Sequence, residues 1–254
     1  MIPPLPELCD LVRAAARDEL LPRYAQVERE HKADGSLVTA ADRAMEHRLD
    51  TDLKARWPDI GFFSEEMSAA DRSTFLDSPS ARWWCLDPLD GTSNFAAGIP
   101  FFAVSLALID AEGVSEGVIY DPERDECFSA ARGAGAFLNG ERFRIKGGIA
   151  LRRALAIVDF KRLPRSLALG LAHKPPFASQ RNYGASALEW AWLACGRGHV
   201  TVHGGQNLWD YAAGSLLLAE AGGYSTTLQG EPVFSASAQV RSVVGALDES
   251  LHRE

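Results

Sequence analysis

Apolar residues recur at helical spacing in the first quarter of the chain. Leu8, Leu11, Val12, Ala15 and Ala16 predict a helix over about 6–24. Met45, Leu49, Leu53 and Trp57 recur every four residues and predict a second over 40–57, which Pro58 closes. The pattern then shortens into β-prone runs at 60–63, 83–86, 101–109, 117–120 and 127–131. Asn139-Gly140 marks a hairpin turn. Further on, 155–158 and 199–203 predict strands, and 166–173, 186–195 and 209–221 predict helices, the last stopped by Gly222-Gly223.

Strands come in runs and helices in pairs, without strict alternation. This favours an α+β layered sandwich over a doubly wound parallel sheet. No repeat, low-complexity tract or Ser/Gly linker interrupts the chain. The expectation is a single domain over 1–254 of two packed lobes, about 1–145 and about 146–254, with the Gly-rich stretch 133–149 as the seam.

Composition narrows the partners. The chain has 254 residues, 46% hydrophobic and 24% charged, with a formal net charge of −8. That charge argues against DNA, RNA or an anionic membrane as the main partner. No basic-then-apolar leader is visible after Met1-Ile2-Pro3-Pro4, and no apolar run approaches the roughly 20 residues that span a bilayer. Cys9, Cys85, Cys127 and Cys195 form no Cys-x-x-Cys pair and sit in apolar neighbourhoods, so they are expected as reduced core thiols in a cytoplasmic protein.

The chemistry lies in four acidic segments, each at the end of a regular element. They are Lys32-Ala33-Asp34-Gly35-Ser36-Leu37-Val38-Thr39-Ala40-Ala41-Asp42, Ser64-Glu65-Glu66, Asp87-Pro88-Leu89-Asp90-Gly91-Thr92-Ser93-Asn94-Phe95, and Trp209-Asp210-Tyr211-Ala212-Ala213-Gly214. Asp87 and Asp90 flank a Pro that fixes the turn expected after a buried strand, so two carboxylates converge on one hard cation beside the Leu89 carbonyl. Gly91-Thr92-Ser93 offers backbone N–H groups to a phosphate oxygen at a helix start. Taken singly, each piece has a structural reading too. Thr39-x-x-Asp42 fits a helix capping box, Glu65-Glu66 an acidic turn, and Asp210 a helix start. Their occurrence together, in order, is what favours a metal site.

Other hydrolase designs fit less well. Asp-x-x-Asp suits ligation better than the Asp-x-Asp nucleophile, and neither a P-loop nor Gly-x-Ser-x-Gly is present. His199 and His203 are four apart, but Val200-Thr201-Val202 between them predicts strand and no His-Glu-x-x-His pattern follows, which disfavours zinc.

From about Lys32 to Gly223 these segments resemble the successive signatures of the inositol monophosphatase family, part of a lithium-sensitive, metal-dependent phosphatase superfamily. The resemblance implies an αβαβα sandwich and hydrolysis of a small phosphate monoester by water with two or three Mg²⁺ ions. Glu65, Asp87, Asp90, Asp210 and the Leu89 carbonyl would be the ligands. Thr92 and Glu65 would position and deprotonate the water with Asp42 in support, and Gly91, Thr92 and Ser93 would hold the phosphate. Lys32 would order the loop leading into Val38-Thr39. Five clustered carboxylates repel a dianionic substrate, and divalent ions reverse that sign.

The substrate pocket maps less fully. Asp90 and Asp210 border it, Gly184-Ala185-Ser186 matches a substrate-contacting segment, and His203 stands where inositol phosphatases commonly carry Glu. The resemblance points to inositol monophosphate or a related sugar or polyol phosphate. Histidinol-phosphate phosphatases and 3′-phosphoadenosine 5′-phosphate nucleotidases share the acid cluster and remain alternatives. A regulatory protein retaining the fold is the alternative of another class. The family analogy also implies a homodimer.

Overall fold

A computed structural model describes residues 3–26, 30–31, 37–237 and 239–254. Lys32 lies outside the described residues.

Helix α1 (Leu5–Glu19) starts with Pro6 in its first turn and buries the five apolar positions of its stripe. It is shorter than the 6–24 expected, because Pro22 cannot continue it and a 3₁₀ turn, Leu21–Arg23, follows. The backbone pair β1 (Glu30–His31) and β2 (Leu37–Val38) leads into α2 (Ala40–Arg56). Thr39 and Asp42 form the capping box of α2, and Met45, Leu49 and Leu53 are its buried row. Next come β3 (Gly61–Ser64), α3 (Ala69–Asp77), β4 (Trp83–Asp90) and the short α4 (Thr92–Ala97). A meander follows: β5 (Ala103–Asp110), β6 (Gly113–Asp121), β7 (Glu126–Ala131), β8 (Gly135–Leu138) and β9 (Glu141–Phe143).

These strands make a seven-stranded sheet in the order β3-β4-β5-β6-β7-β8-β9, parallel only at β3/β4. Asn139-Gly140 is the β8/β9 turn, so 135–143 belongs to this sheet rather than to a seam. Every residue of β4 and β6 is buried, because both faces of the sheet are covered. One face carries Trp84, Leu86, Val104, Leu106 and Val118 against α1 and α2. The other carries Trp83, Cys85, Ala107 and Ile119 into a second core.

That second core is shared with the rest of the chain. It contains β10 (Leu155–Asp159), α5 (Arg165–His173), β11 (Ser179–Arg181), α6 (Ser186–Ala194), β12 (Val200–Gln206), α7 (Leu208–Ala221), β13 (Tyr224–Thr226), β14 (Arg241–Ala246) and α8 (Glu249–Arg253). Its sheet has the order β11-β10-β12-β14-β13, parallel at β11/β10 and β10/β12. Helices α6 and α7 lie between the two sheets: Trp190, Leu193, Leu217 and Leu218 join residues of both in one cluster. The expected α+β layered sandwich is therefore observed. No helix among the described residues is long and apolar enough to cross a membrane, and all four cysteines are free, Cys85 and Cys127 buried, Cys9 and Cys195 partly so.

Candidate active site

The central acid pair is not on a turn after a strand. β4 continues through Asp90, and its register against β5 slips by one residue between Asp87↔Ser105 and Asp90↔Ala103. In a regular strand residues three apart face opposite ways. The extra residue of this bulge returns Asp90 to the face of Asp87, while Leu89 points into the opposite core. Pro88, which has no N–H for a ladder, fits at such a break. The Leu89 N–H donates to Asp87 Oδ1 at 3.0 Å and fixes that carboxylate.

Asp210 arrives from the other side. It is the third residue of α7, where its Oδ2 accepts the Asn207 N–H at 2.8 Å, and Ser105 Oγ on β5 donates to the Trp209 carbonyl at 3.2 Å. Asp87, Asp90 and Asp210 thus bring ligand oxygens within 4.8 Å of one another. Among the described residues this is the one group of three or more His, Cys, Asp or Glu side chains to do so. It is made of carboxylates alone, a hard oxygen set that suits Mg²⁺ better than zinc or copper.

Glu65 sits where β3 ends, its N–H donating to the Leu86 carbonyl at 3.1 Å. Arg72 of α3 donates to the carbonyls of Glu65 and Met67 and lies 5.0 Å over the Trp209 ring, tying the Glu65 turn to the start of α7. Asp42 has two jobs. Its Oδ2 accepts the N–H and hydroxyl of Thr39 at 2.7 Å each, as a cap would, and its Oδ1 accepts from the Thr92 hydroxyl at 3.1 Å. Thr92 Oγ1 is also 3.0 Å from the Leu89 carbonyl.

Asp90 is a cap from afar. Its oxygens accept the N–H groups of Ser186, Ala187 and Leu188 at 2.9, 2.8 and 3.2 Å, the opening turn of α6. Gly184, Ala185 and Ser186 are thereby drawn to the acid cluster. Gly91 must be glycine: its φ is 87°, and a Cβ would stand 2.9 Å from that of Ala185. Asn94 Nδ2 bridges the carbonyls of Phe101 and Tyr183 at 2.8 and 2.7 Å. The buried Glu189 accepts the N–H groups of Tyr183 and Gly184.

Burial dominates the electrostatics. It raises Asp87 well above the usual carboxylate range, and Glu65, Asp90, Asp210 and Asp42 add like-charge repulsion. Burial, then Asp90 and Glu65, pushes Asp210 up to about 8. Asp90 is raised by burial to about 7, although the N–H groups of Leu188 and Ala187 oppose the shift. Burial also raises Asp42, against the hydrogen bonds from Thr39. These are aspartates that favour a proton or a cation.

His203 is buried, and both ring nitrogens are engaged. Nδ1 accepts the Gly205 N–H at 3.1 Å and Nε2 lies 3.3 Å from Asp159 Oδ2. His199 Nδ1 accepts the Leu155 N–H at 2.7 Å, so it serves the sheet. Sequence reasoning passed over Arg72, Asp159, Arg162 and Glu189. Ser68-x-x-Asp71, which caps α3 through a 3.1 Å bond, could have signalled the helix that carries Arg72. Asp159 and Arg162 reach His203 and Gly205 on another strand and Glu189 reaches the loop before its helix, so no short spacing marks these roles.

This chain is 37% identical over 210 residues to an inositol-1-monophosphatase of Mesorhizobium japonicum, covering 78% of this chain and 75% of that protein. It is 35% identical over 230 residues to the Nus factor SuhB of Xylella fastidiosa, covering 87% and 81%. The solved Thermotoga maritima IMPase matches the fold with a TM-score of 0.83 at 26% identity, over 98% of this chain and 94% of that one. The model of the inositol monophosphatase family matches residues 7–254. The chain belongs to that family and is a hydrolase of phosphate monoesters.

Proposed function

We propose that the chain hydrolyses a small sugar or polyol phosphate monoester, inositol monophosphate among them, with Mg²⁺ as cofactor and water as nucleophile. The observation that carries this reading is the convergence of Asp87, Asp90 and Asp210 within 4.8 Å in an all-oxygen set. Those three, with Glu65 and the Leu89 carbonyl, would hold two or three ions. Bound Mg²⁺ would supply the charge that offsets the carboxylates and acidifies water.

The chain's own residues handle the proton. Thr92 Oγ1 has one hydrogen and two acceptors, Asp42 Oδ1 and the Leu89 carbonyl. With that hydrogen given to Asp42, the oxygen accepts a proton from the attacking water, which Glu65 helps to orient. Burial, by raising Asp42, makes it a better acceptor. The water oxygen attacks phosphorus, the bond from phosphorus to the ester oxygen breaks, and the departing alkoxide takes a proton from solvent water while the proton held by Asp42 returns to solvent. The N–H groups of Gly91, Thr92 and Ser93 at the start of α4 hold phosphate oxygens. Asp90, Asp210 and the Gly184-Ala185-Ser186 segment border the alcohol. His203, with both nitrogens engaged, holds Asp159 in place. A homodimer belongs to the same reading, and a monomeric mass on sedimentation would remove it without touching the chemistry.

The test is release of inorganic phosphate from myo-inositol 1-phosphate, histidinol phosphate, 3′-phosphoadenosine 5′-phosphate, fructose 1,6-bisphosphate and 2′-AMP, with Mg²⁺ and with a chelator. Turnover with Mg²⁺, abolished by the chelator, is expected. No turnover on any of them with Mg²⁺ would sink the reading and move the weight to a regulatory role.

A further inference from the structure

The β10–α5–β11 unit, whose β10 pairs with the strand β12 that leads into α7, differs in chemistry from the rest of the chain. Residues 150–182 contain seven Lys and Arg and a single acid, Asp159, in a protein of net charge −8. Lys161, Arg162 and Arg165 follow the end of β10, and all three are exposed.

Arg162 is the member tied to the strand that leads towards Asp210. Its backbone packs directly on β12: a Cβ at Gly204 would fall 1.8 Å from the Arg162 carbonyl oxygen, so only glycine admits the approach. Its Nη1 donates to the Gly205 carbonyl at 3.2 Å. From Gly205 the chain runs through Gln206 and Asn207 into the turn that presents Asp210.

Asp159 sets the guanidinium from behind. Its Oδ1 accepts the Lys161 N–H at 2.9 Å, which fixes the turn after β10. Its Oδ2 lies 3.3 Å from His203 Nε2, its register partner on β12, and 3.8 Å from Arg162 Nε. The Arg162 side chain is still 52% exposed. A guanidinium has five donors in a planar fork. Nε faces Asp159 and one Nη1 hydrogen faces Gly205, which leaves the Nη2 edge for a planar anion.

A neutral polyol offers a half-exposed arginine only single uncharged acceptors, whereas a carboxylate meets both its charge and its planar fork. We propose that Arg162 is a specificity-determining residue that pairs with a second anionic group of the substrate. The preferred substrates are then phosphate monoesters that also carry a carboxylate or another acidic group, rather than neutral polyol monophosphates. This rests on the phosphatase reading above and narrows its substrate class.

The test uses matched substrates with one phosphate each, so that all phosphate released comes from one bond. Glycerol 2-phosphate is compared with 2-phosphoglycerate, and glucose 1-phosphate with glucuronic acid 1-phosphate. In each pair a hydroxymethyl group becomes a carboxylate, at a short and at a longer reach. The readout is the ratio of kcat/KM within a pair, for the wild type, Arg162→Ala, Arg162→Lys and Arg165→Ala, with Mg²⁺.

A charge-assisted hydrogen bond is expected to favour the carboxylate member of at least one pair by about tenfold or more in the wild type. Arg162→Ala should bring that ratio to about one, whereas Arg162→Lys, which keeps the charge without the fork, should retain part of it. Arg165→Ala should leave the ratio as in the wild type. If both wild-type ratios are near one, or Arg162→Ala leaves them unchanged, the proposal fails. It fails also if Arg165→Ala lowers the ratio as much, since the general field of the basic unit would then be responsible. Hydrolysis without preference overturns this inference alone, but no Mg²⁺-dependent hydrolysis of any member overturns the phosphatase reading with it. Should Arg162→Ala lose its native melting transition, Arg162→Gln supplies the uncharged comparison.

Discussion

The wall of the site that carries Asp87 and Asp90 comes from one strand, and the cluster of Asp159, Arg162 and His203 comes from two strands and the turn between β10 and α5. On the first wall, carboxylates are buried together and their neighbours raise one another's affinity for protons. In the cluster, Asp159 lies between imidazole and guanidinium, and the hydrogen bond from His203 holds it below the usual carboxylate range. The first wall is unbalanced without a cation, while the second balances itself. A region that stores like charge in a buried place is built for a ligand of opposite sign. A region whose charges already satisfy one another selects by what its remaining donors can reach.

The sharpest way to break this contrast is Asp87→Asn. Activity should fall by about a thousandfold or more, because about 4 kcal/mol of metal-dependent stabilisation is lost. The metal-free melting temperature should hold or rise, since one of several buried like charges is gone. A clear fall would mean that Asp87 is a structural acid like Asp159.

The same contrast predicts how the metal-free protein responds to pH. Asp90 and Asp210 are raised to about 7 and about 8, against about 4 in an unfolded chain. The folded state therefore binds more protons than the unfolded one between these values, and stability falls as pH rises. The melting temperature should drop by about 10 °C between pH 5 and pH 8. A melting temperature that rises over this window would overturn the assignment.

Mg²⁺ should undo that loss. At a hundredfold excess over its Kd it contributes about 2.7 kcal/mol, or about 5–10 °C in a chain of this size. Thermal scans of the wild type and Asp87→Asn with and without Mg²⁺ would show the shift in the first and a reduced one in the second.

Asn94→Ala tests how the two regions are joined, because Asn94 ties α4 to Tyr183. The loss of two hydrogen bonds should cost about 1–2 kcal/mol. KM should rise more than kcat falls, since the phosphate contacts remain while the Gly184-Ala185-Ser186 segment loosens. Equal effects on both would place Asn94 in the chemistry instead.

Much of this was legible in the chain. The stripe of α1, the four-residue row of α2 and the apolar runs of β4, β5 and β7 all follow from the pattern of apolar positions, and Asp42, Glu65 and Asp210 stand at element ends as expected. The short edge strands β11 and β13 were not foreseen, and Asn139-Gly140 gave only the turn of the β8/β9 hairpin, since three or four residues give too little pattern to read. Helix α3 was missed because only the adjacent Phe75 and Leu76 pack on the core, which makes no helical stripe.

The sequence by itself determined the acid inventory, the Pro and Gly that shape its backbone, and the family to which the chain belongs. Those are local properties, written in neighbouring residues. Only the tertiary structure decided that a one-residue bulge turns Asp90 to the face of Asp87, that Asp90 caps α6, and that Arg162 meets Gly205 beside Asp159 and His203. Strand register and contacts between distant elements depend on how whole layers pack, and no short stretch of sequence encodes that.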